Sequence, residues 1–222
     1  MEITPIAHIR YDYTAKFGVP RQSGLVTEVV SDIVFTPEYR NADALRGLED
    51  FSHLWLIWEF SLARQEGWSP TVRPPRLGGN QRMGVFATRS PFRPNRLGLS
   101  CVKLEEILLH SPDGPVLRVS GADLMNGTPI YDVKPYLPYA DCRADATGGF
   151  TDAVERKKLR VLGLEMVPQA QRAALEAVLA QDPRPSYQHD AQREYGLAFA
   201  GWNVRFRVEG EVLTITEAQK IS

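Results

Sequence analysis

Acidic residues are missing from the middle of this chain. Between Gly67 and Val102 there is no Asp or Glu, yet Arg73, Arg76, Arg82, Arg89, Arg93 and Arg96 all fall there. Arg suits planar, two-pronged recognition of phosphate and carboxylate, so an acid-free arginine array points to an external anion. The competing explanation is that acids distant in sequence pair with these arginines in the fold. Cysteine is also scarce: Cys101 and Cys142 stand alone with no CxxC pair. That fits a reducing cytoplasm and argues against a disulfide scaffold or a Cys-ligated zinc. The longest apolar run, Leu54 to Trp58, is far too short to span a bilayer. No basic segment followed by a long apolar one opens the chain, so no secretory signal is expected.

Several common catalytic signatures are missing too. There is no G-x-G-x-x-G loop, Walker loop, G-x-S-x-G elbow or H-E-x-x-H helix, which removes the usual dinucleotide, nucleotide, hydrolase and zinc-protease solutions. His8, His53, His110 and His189 are isolated, without metal-ligand spacing, and no metal is expected. His53, inside an apolar strand, reads as a core histidine. A net charge of −1 over 222 residues means that a polyanion would be met by a local patch rather than by the whole field.

What the chain does have is a series of short β-patterned runs separated by turns. Ile3 to Tyr13 and Leu25 to Phe35 read as strands, the second rich in Val and Ile. Asn41 to Phe51 places Ala44, Leu45, Leu48 and Phe51 at helical spacing, with Asn41 as a cap. His53 to Phe60 is nearly continuously apolar and predicts a strand buried on both faces. Trp68 to Gln81 reads as loop, because Pro70, Pro74, Pro75 and Gly78-Gly79 oppose regular structure. Val85 to Ala87, Leu99 to Leu109, Val116 to Leu124 and Ile130 to Val133 predict further strands, with Glu105 and Glu106 facing water and Asn126 to Pro129 as a tight turn. This pattern defines a mainly β fold, a barrel or sandwich over residues 1–140. A small polar boundary from Asp141 to Thr151 opens a second unit, residues 141–222, of α+β type. There the Leu175, Val178, Leu179 stripe marks a helix that starts at Pro168 and stops by Asp182, ahead of Pro183. Asn203 to Val208 and Glu211 to Thr216 flank a Glu209-Gly210 hairpin signal.

The centre of the chain is Met83 to Ser100, where Arg89, Arg93 and Arg96 alternate with Pro91 and Pro94. Proline fixes φ and extends the residue before it, so this loop can hold guanidinium groups in a fixed array at a lower ordering cost. Three longer motifs complete a pattern: Val72 to Asn80, Asn126-Gly127-Thr128-Pro129-Ile130-Tyr131-Asp132-Val133-Lys134-Pro135-Tyr136, and Asp182-Pro183-Arg184-Pro185-Ser186-Tyr187. Together they resemble the TsaA/YaeB family, the TrmO-type tRNA methyltransferases, over nearly the whole chain. The sequence departs from that pattern at Arg96, where many relatives carry proline, and at Ser61-Leu62, a more polar pair in some.

The resemblance implies a single-sheet β-barrel in place of a Rossmann domain, S-adenosylmethionine as cofactor and a homodimer with the cofactor near the subunit interface. It implies methylation of N6 of threonylcarbamoyladenosine at position 37, next to the anticodon of tRNA. Carried over by position, the cofactor pocket comprises Gln22, Ser23, Gly24, Ser61, Leu62, Arg89, Leu99, Ser120, Gly121, Ala122 and Asp123. A sulfonium cation cannot be favoured by arginine, so Asp123 and backbone carbonyls suit the cationic or hydroxyl-bearing end. Arg89 suits a carboxylate or an RNA phosphate. Arg73, Arg76, Arg82, Arg93, Arg96 and Lys134 are the RNA-binding candidates, with Phe92, Tyr136 and Tyr187 able to stack an unpaired base. An amine on a ureido group is a poor nucleophile, so a proton acceptor would help; Asp132, Asp182 and Tyr187 are candidates among which the sequence does not choose. Two rival readings remain at this point: a non-catalytic RNA-binding barrel, and a methyltransferase with a small-molecule acceptor.

Overall fold

The structure is a computed structural model that describes residues 2–11, 17–63, 67–74, 81–153, 157–184, 188 and 190–221. Six strands close into one antiparallel barrel: β1 (Ala7–Arg10), β2 (Val30–Phe35), β3 (His53–Glu59), β6 (Leu97–Ser111), β7 (Gly114–Ser120) and β8 (Pro129–Pro135). Around the barrel their order is β1-β2-β7-β6-β3-β8. Alternation gives each strand one apolar face, with Ile33 and Phe35, Leu54, Leu56 and Trp58, and Val102 turned inward and buried, and the pairing of β8 with β1 closes the ring so that no open edge is left.

Several local expectations are corrected by this frame. β3 is not buried on both faces, because in a barrel only alternate residues turn inward; Trp55 and Ile57 are half-buried on the outer side. His53 also sits on that outer side, its Nδ1 2.9 Å from Ser52 Oγ and its ring against Tyr136, rather than in the core. The helix over Asn41 to Phe51 is instead a pair of 3-10 turns, Ala42–Leu45 and Leu48–Asp50. Gly47, at φ 85°, breaks it in the left-handed region. Asn41 does cap the first turn, accepting the Asp43 N–H at 3.0 Å. Val85–Ala87 is also a 3-10 turn and not a strand. Within the expected loop, β4 (Thr71–Val72) pairs with β5 (Met83–Gly84). The end of the first expected strand at residues 12–13 and the 75–80 part of the expected loop lie outside the described residues. Glu105 and Glu106 both face water because a β-bulge falls between Leu104 and Glu106.

The second sheet has the order β10-β11-β12-β9, from β9 (Arg160–Leu162), β10 (Tyr195–Phe199), β11 (Trp202–Glu209) and β12 (Val212–Lys220). After a single-turn helix α1 (Pro138–Asp141), α2 (Gln169–Ala180) is the main helix; it buries Leu175, Val178 and Leu179, as its stripe predicts. The second sheet packs on the barrel's 17–25 segment. The Phe17 and Phe206 rings stack at 6.3 Å, Gln181 Nε2 donates to the Leu25 carbonyl at 3.4 Å, and Arg21 Nη2 donates to the Arg184 carbonyl at 2.9 Å. The C-terminal sheet thereby fixes the loop that carries Gln22, Ser23 and Gly24.

Candidate functional site

A broad cleft runs between the 17–25 loop, the end of β3, the arginine loop and the Asp123 to Thr128 segment. Its geometry begins with a small residue. A Cβ on Gly98 would lie 2.3 Å from the Trp58 ring, so only glycine lets the indole lie flat across β6. On its other side the ring meets Phe60, with centroids 4.3 Å apart. The indole Nε1–H donates to Ser100 Oγ at 2.8 Å, and that hydroxyl donates to Asp123 Oδ1 at 2.5 Å. Trp58 and Ser100 are buried, whereas Asp123 lines the cleft.

Asp123 is the most perturbed carboxylate of the cleft. Burial pushes its pKa above the usual carboxylate range, against the Ser100 hydrogen bond, the backbone N–H groups of Asp123 and Ser23, and the Arg89 charge, which favour the ionised form. Arg89 Nη1 in turn donates to Gln22 Oε1 at 2.5 Å, and Gly24 N–H donates to the Gly121 carbonyl at 2.8 Å. Gln22, Ser23, Gly24, Arg89 and Asp123, chosen from three separate stretches of sequence, thus meet at one place.

The arginine loop is braced by hydroxyls as well as by proline. Thr88 Oγ1 donates to the Val85 carbonyl at 2.9 Å and accepts the Ser90 N–H at 3.3 Å; Ser90 Oγ accepts the Phe92 N–H at 3.2 Å. Arg73, Arg82, Arg89 and Arg93 all line the cleft, and among the described residues none of them forms an ion pair with an acid. Among the described residues, then, ion pairing does not account for these four, and the acid that feels the Arg89 charge is Asp123 of the cleft itself.

Other residues singled out from sequence fall differently. Ser61, exposed Leu62 and exposed Leu99 line the cleft, Leu99 on the strand face opposite Ser100. Ser120, Gly121 and Ala122 are buried behind Asp123: Ser120 Oγ donates to Glu105 Oε1 at 2.6 Å, and the Ala122 carbonyl accepts from Tyr11 at 3.0 Å. They support the site rather than line it. Asp132 and Lys134 are not brought to the cleft; they pair with each other at 3.1 Å on the barrel's outside. Asp182 is there, but both of its carboxylate oxygens are engaged by Arg184, with Nε at 2.8 Å and Nη2 at 2.9 Å. Arg96 is half-buried, and its carbonyl accepts the Phe60 N–H at 2.9 Å. Phe92 lines the cleft, whereas Tyr136 packs on Trp55 at 5.7 Å on the outer barrel face. Arg76 and Tyr187 lie outside the described residues. Sequence reasoning missed Trp58 and Ser100; their shared inward parity was readable, but their partnership with Asp123 crosses three strands or loops and leaves no local signal.

The fold and cleft define a closed antiparallel barrel protein whose cleft sets one partly buried carboxylate beside a rim of arginines that form no ion pair among the described residues. The comparisons narrow that class. Residues 8–142 match the tRNA-methyltransferase O N-terminal domain and residues 150–221 the TrmO C-terminal domain, so the chain belongs to the TrmO family. It is 45% identical over 217 residues to the tRNA (adenine(37)-N6)-methyltransferase of Escherichia coli, covering 91% of each chain. A Pseudomonas aeruginosa protein with the provisional name S-adenosylmethionine-dependent methyltransferase RcsF is 40% identical over 210 residues, covering 88% of this chain and 87% of that one. The crystal structure of TrmO from Pseudomonas aeruginosa superposes with a TM-score of 0.78 at 30% identity, over 99% of this chain and 98% of that one.

Proposed function

We propose that this protein is a tRNA methyltransferase that uses S-adenosylmethionine to methylate N6 of adenine 37, with the threonylcarbamoylated adenosine as acceptor. The observation that carries this reading is the convergence of Asp123, Ser23-Gly24 and the Arg89–Gln22 pair in a cleft rimmed by arginines that form no ion pair among the described residues. The donor set fits the cofactor: a carboxylate short of hydrogen-bond donors suits an ammonium or ribose hydroxyl, and a guanidinium suits a carboxylate. When bound, S-adenosylmethionine would supply an electrophilic methyl on a sulfonium sulfur; the sulfur would depart as a neutral thioether as the methyl passed to N6, and the N6 proton would go to water.

The chain's own residues orient and exclude. Asp123 accepts hydrogen bonds from the cofactor, Gln22 holds Arg89 in place, and Arg73, Arg82 and Arg93 take backbone phosphates of the anticodon arm. Alignment of nucleophile and methyl can supply roughly 7–11 kcal/mol of the barrier reduction. Asp182, held by Arg184, is assigned to organising the loop rather than to removing the proton. We also read the protein as a cytoplasmic homodimer, with exposed Leu62, Phe86, Leu97 and Leu99 beside the cleft as the apolar surface a second copy would cover. No described helix is long and apolar enough to cross a membrane, and no cluster of metal-ligand residues occurs among the described residues.

The test is incubation with S-adenosylmethionine and threonylcarbamoylated tRNA, followed by mass spectrometry of the digested nucleosides. A 14-dalton gain on the position-37 nucleoside is expected, by the replacement of one hydrogen by methyl. Cofactor turnover with free nucleosides but not with tRNA, or tRNA binding without any methylated product, would overturn the reading.

A further inference from the structure

The chain of hydrogen bonds from Trp58 through Ser100 to Asp123 has only one direction open to it. An indole N–H can donate but not accept, so the Ser100 oxygen accepts from Trp58 and its own proton must go to Asp123. We propose that Trp58 and Ser100 are positioning residues for the cofactor, holding Asp123 as a directed hydrogen-bond acceptor at the floor of the cleft. The inference rests on the function proposed above and adds to it two residues that act through Asp123: Ser100, buried behind the cleft wall, and Trp58, almost buried at the edge of the cleft.

Three observations carry it. The first is the cost of the arrangement: Ser100 is fully buried and Trp58 almost so, and a hydroxyl placed there without partners would be destabilising. An apolar residue at position 100 would fill the barrel more simply, but it would take one donor from a carboxylate that burial already disfavours. The second is the way the indole is built in. Gly98 leaves the space for it and Phe60 packs 4.3 Å from it, so the donor cannot swing away and the direction of the chain is fixed. The third is acceptor arithmetic. A carboxylate offers about four acceptor sites, and among the described residues Ser100 is the group that hydrogen-bonds to Asp123, with the Ser23 and Asp123 N–H groups near enough to favour its ionised form. Acceptor capacity therefore remains, and Asp123 lines the cleft, so that capacity is open to a ligand donor. Arg89 is the charged group that faces Asp123, from the arginine loop.

The sign of the expected pH effect follows. Ser100 stabilises the carboxylate form of Asp123, so removing its hydroxyl moves protonation to higher pH, and a protonated Asp123 no longer attracts a cationic donor. Titration calorimetry with S-adenosylmethionine is run from pH 5 to pH 9 on the wild type, Ser100→Ala, Trp58→Phe and Asp123→Asn. The pH at which affinity is half lost is expected to rise in the order wild type, Trp58→Phe, Ser100→Ala, because the phenylalanine variant keeps the hydroxyl but frees its direction. At the acidic end of that range the Ser100→Ala protein should bind about tenfold more weakly, the effect of one hydrogen bond to a charged group, and it should approach the wild type at the alkaline end. Asp123→Asn should bind weakly with little dependence on pH. A wild type that does not bind the cofactor sinks the proposed function itself. A wild type that binds while both positioning variants match it at every pH, or lose affinity equally at every pH, overturns this inference alone. If Ser100→Ala does not fold, Trp58→Phe carries the same comparison.

Discussion

The contact between Gly98 and Trp58 gives the sharpest stability prediction. In Gly98→Ala the new Cβ would lie 2.3, 2.5 and 2.7 Å from three indole atoms, where carbon pairs normally sit about 3.5–4.0 Å apart. The indole must therefore retreat by about an ångström, and it has nowhere easy to go. It is 5% exposed, packed on Phe60 and tethered to Ser100. Overpacking of this kind costs about 1–3 kcal/mol, and the lost indole hydrogen bond about 1 kcal/mol more. A total of about 2–4 kcal/mol lowers Tm by about 4–16 °C for a chain of this size. The assay is thermal unfolding followed by circular dichroism, with S-adenosylmethionine affinity measured on the same sample. Affinity should fall as well, since the same movement unhooks the indole from Ser100 and frees the direction of the hydroxyl that serves Asp123. Adding Trp58→Leu, which empties the contested space, should make the pair non-additive, so that the double variant is little worse than Trp58→Leu alone. A Gly98→Ala protein that melts within about 1 °C of the wild type and binds the cofactor normally would refute the reasoning, since even 1 kcal/mol shifts Tm by about 2–4 °C.

Three further outcomes are expected. Asp32 is pushed up by burial, but hydrogen bonds from Arg10 and Arg118 outweigh this and hold its carboxyl below the usual range. Its stabilising contribution is present above the unfolded carboxylate pKa and is lost as pH falls through the lower folded value. Asp32→Asn should therefore be less stable than the wild type at pH 7 in urea unfolding, and the gap should close as pH falls below the usual carboxylate range. Arg184→Ala leaves the half-buried Asp182 without its bidentate partner and should cost about 1–3 kcal/mol, less than a fully buried pair because water reaches the carboxylate; Asp182→Asn combined with Arg184→Met should recover part of it. For the RNA surface, Arg82→Ala and Arg93→Ala should each weaken tRNA binding and lower the slope of log affinity against log salt by about 0.7–0.9, the value for one phosphate contact. Lys134→Ala, already paired with Asp132 outside the cleft, should change the slope least.

How much of this was readable in the sequence depends on how far each signal reaches along the chain. β2, β3, β8, α2 and the β11–β12 hairpin follow from local alternation or helical spacing, and all lie within a few residues of their expected positions. β9 and β10 were not foreseen, because three to five residues carry too little pattern to separate a strand from a loop. Val85–Ala87 is apolar for packing reasons: only Val85 is buried, and the segment closes a turn onto Thr88 rather than extending. Closure of the sheet came from family likeness, since no local period distinguishes a barrel from a sandwich. At the site, the acid-free arginine window was legible because absence of charge is a linear property. The pairings Arg89–Gln22 and Ser100–Asp123 span 67 and 23 residues and are visible only once the barrel is closed. Asp132 was attractive as a lone carboxylate in a motif, but strand parity turns it to the outside, where Lys134 meets it.

The account stands most directly on where the cofactor binds. A crystal structure of the protein with S-adenosylhomocysteine, the demethylated product, should place the ligand in the cleft against Asp123, Ser23-Gly24 and the Arg89–Gln22 pair. A ligand bound at another surface, leaving Asp123 and Gln22 untouched, would contradict it.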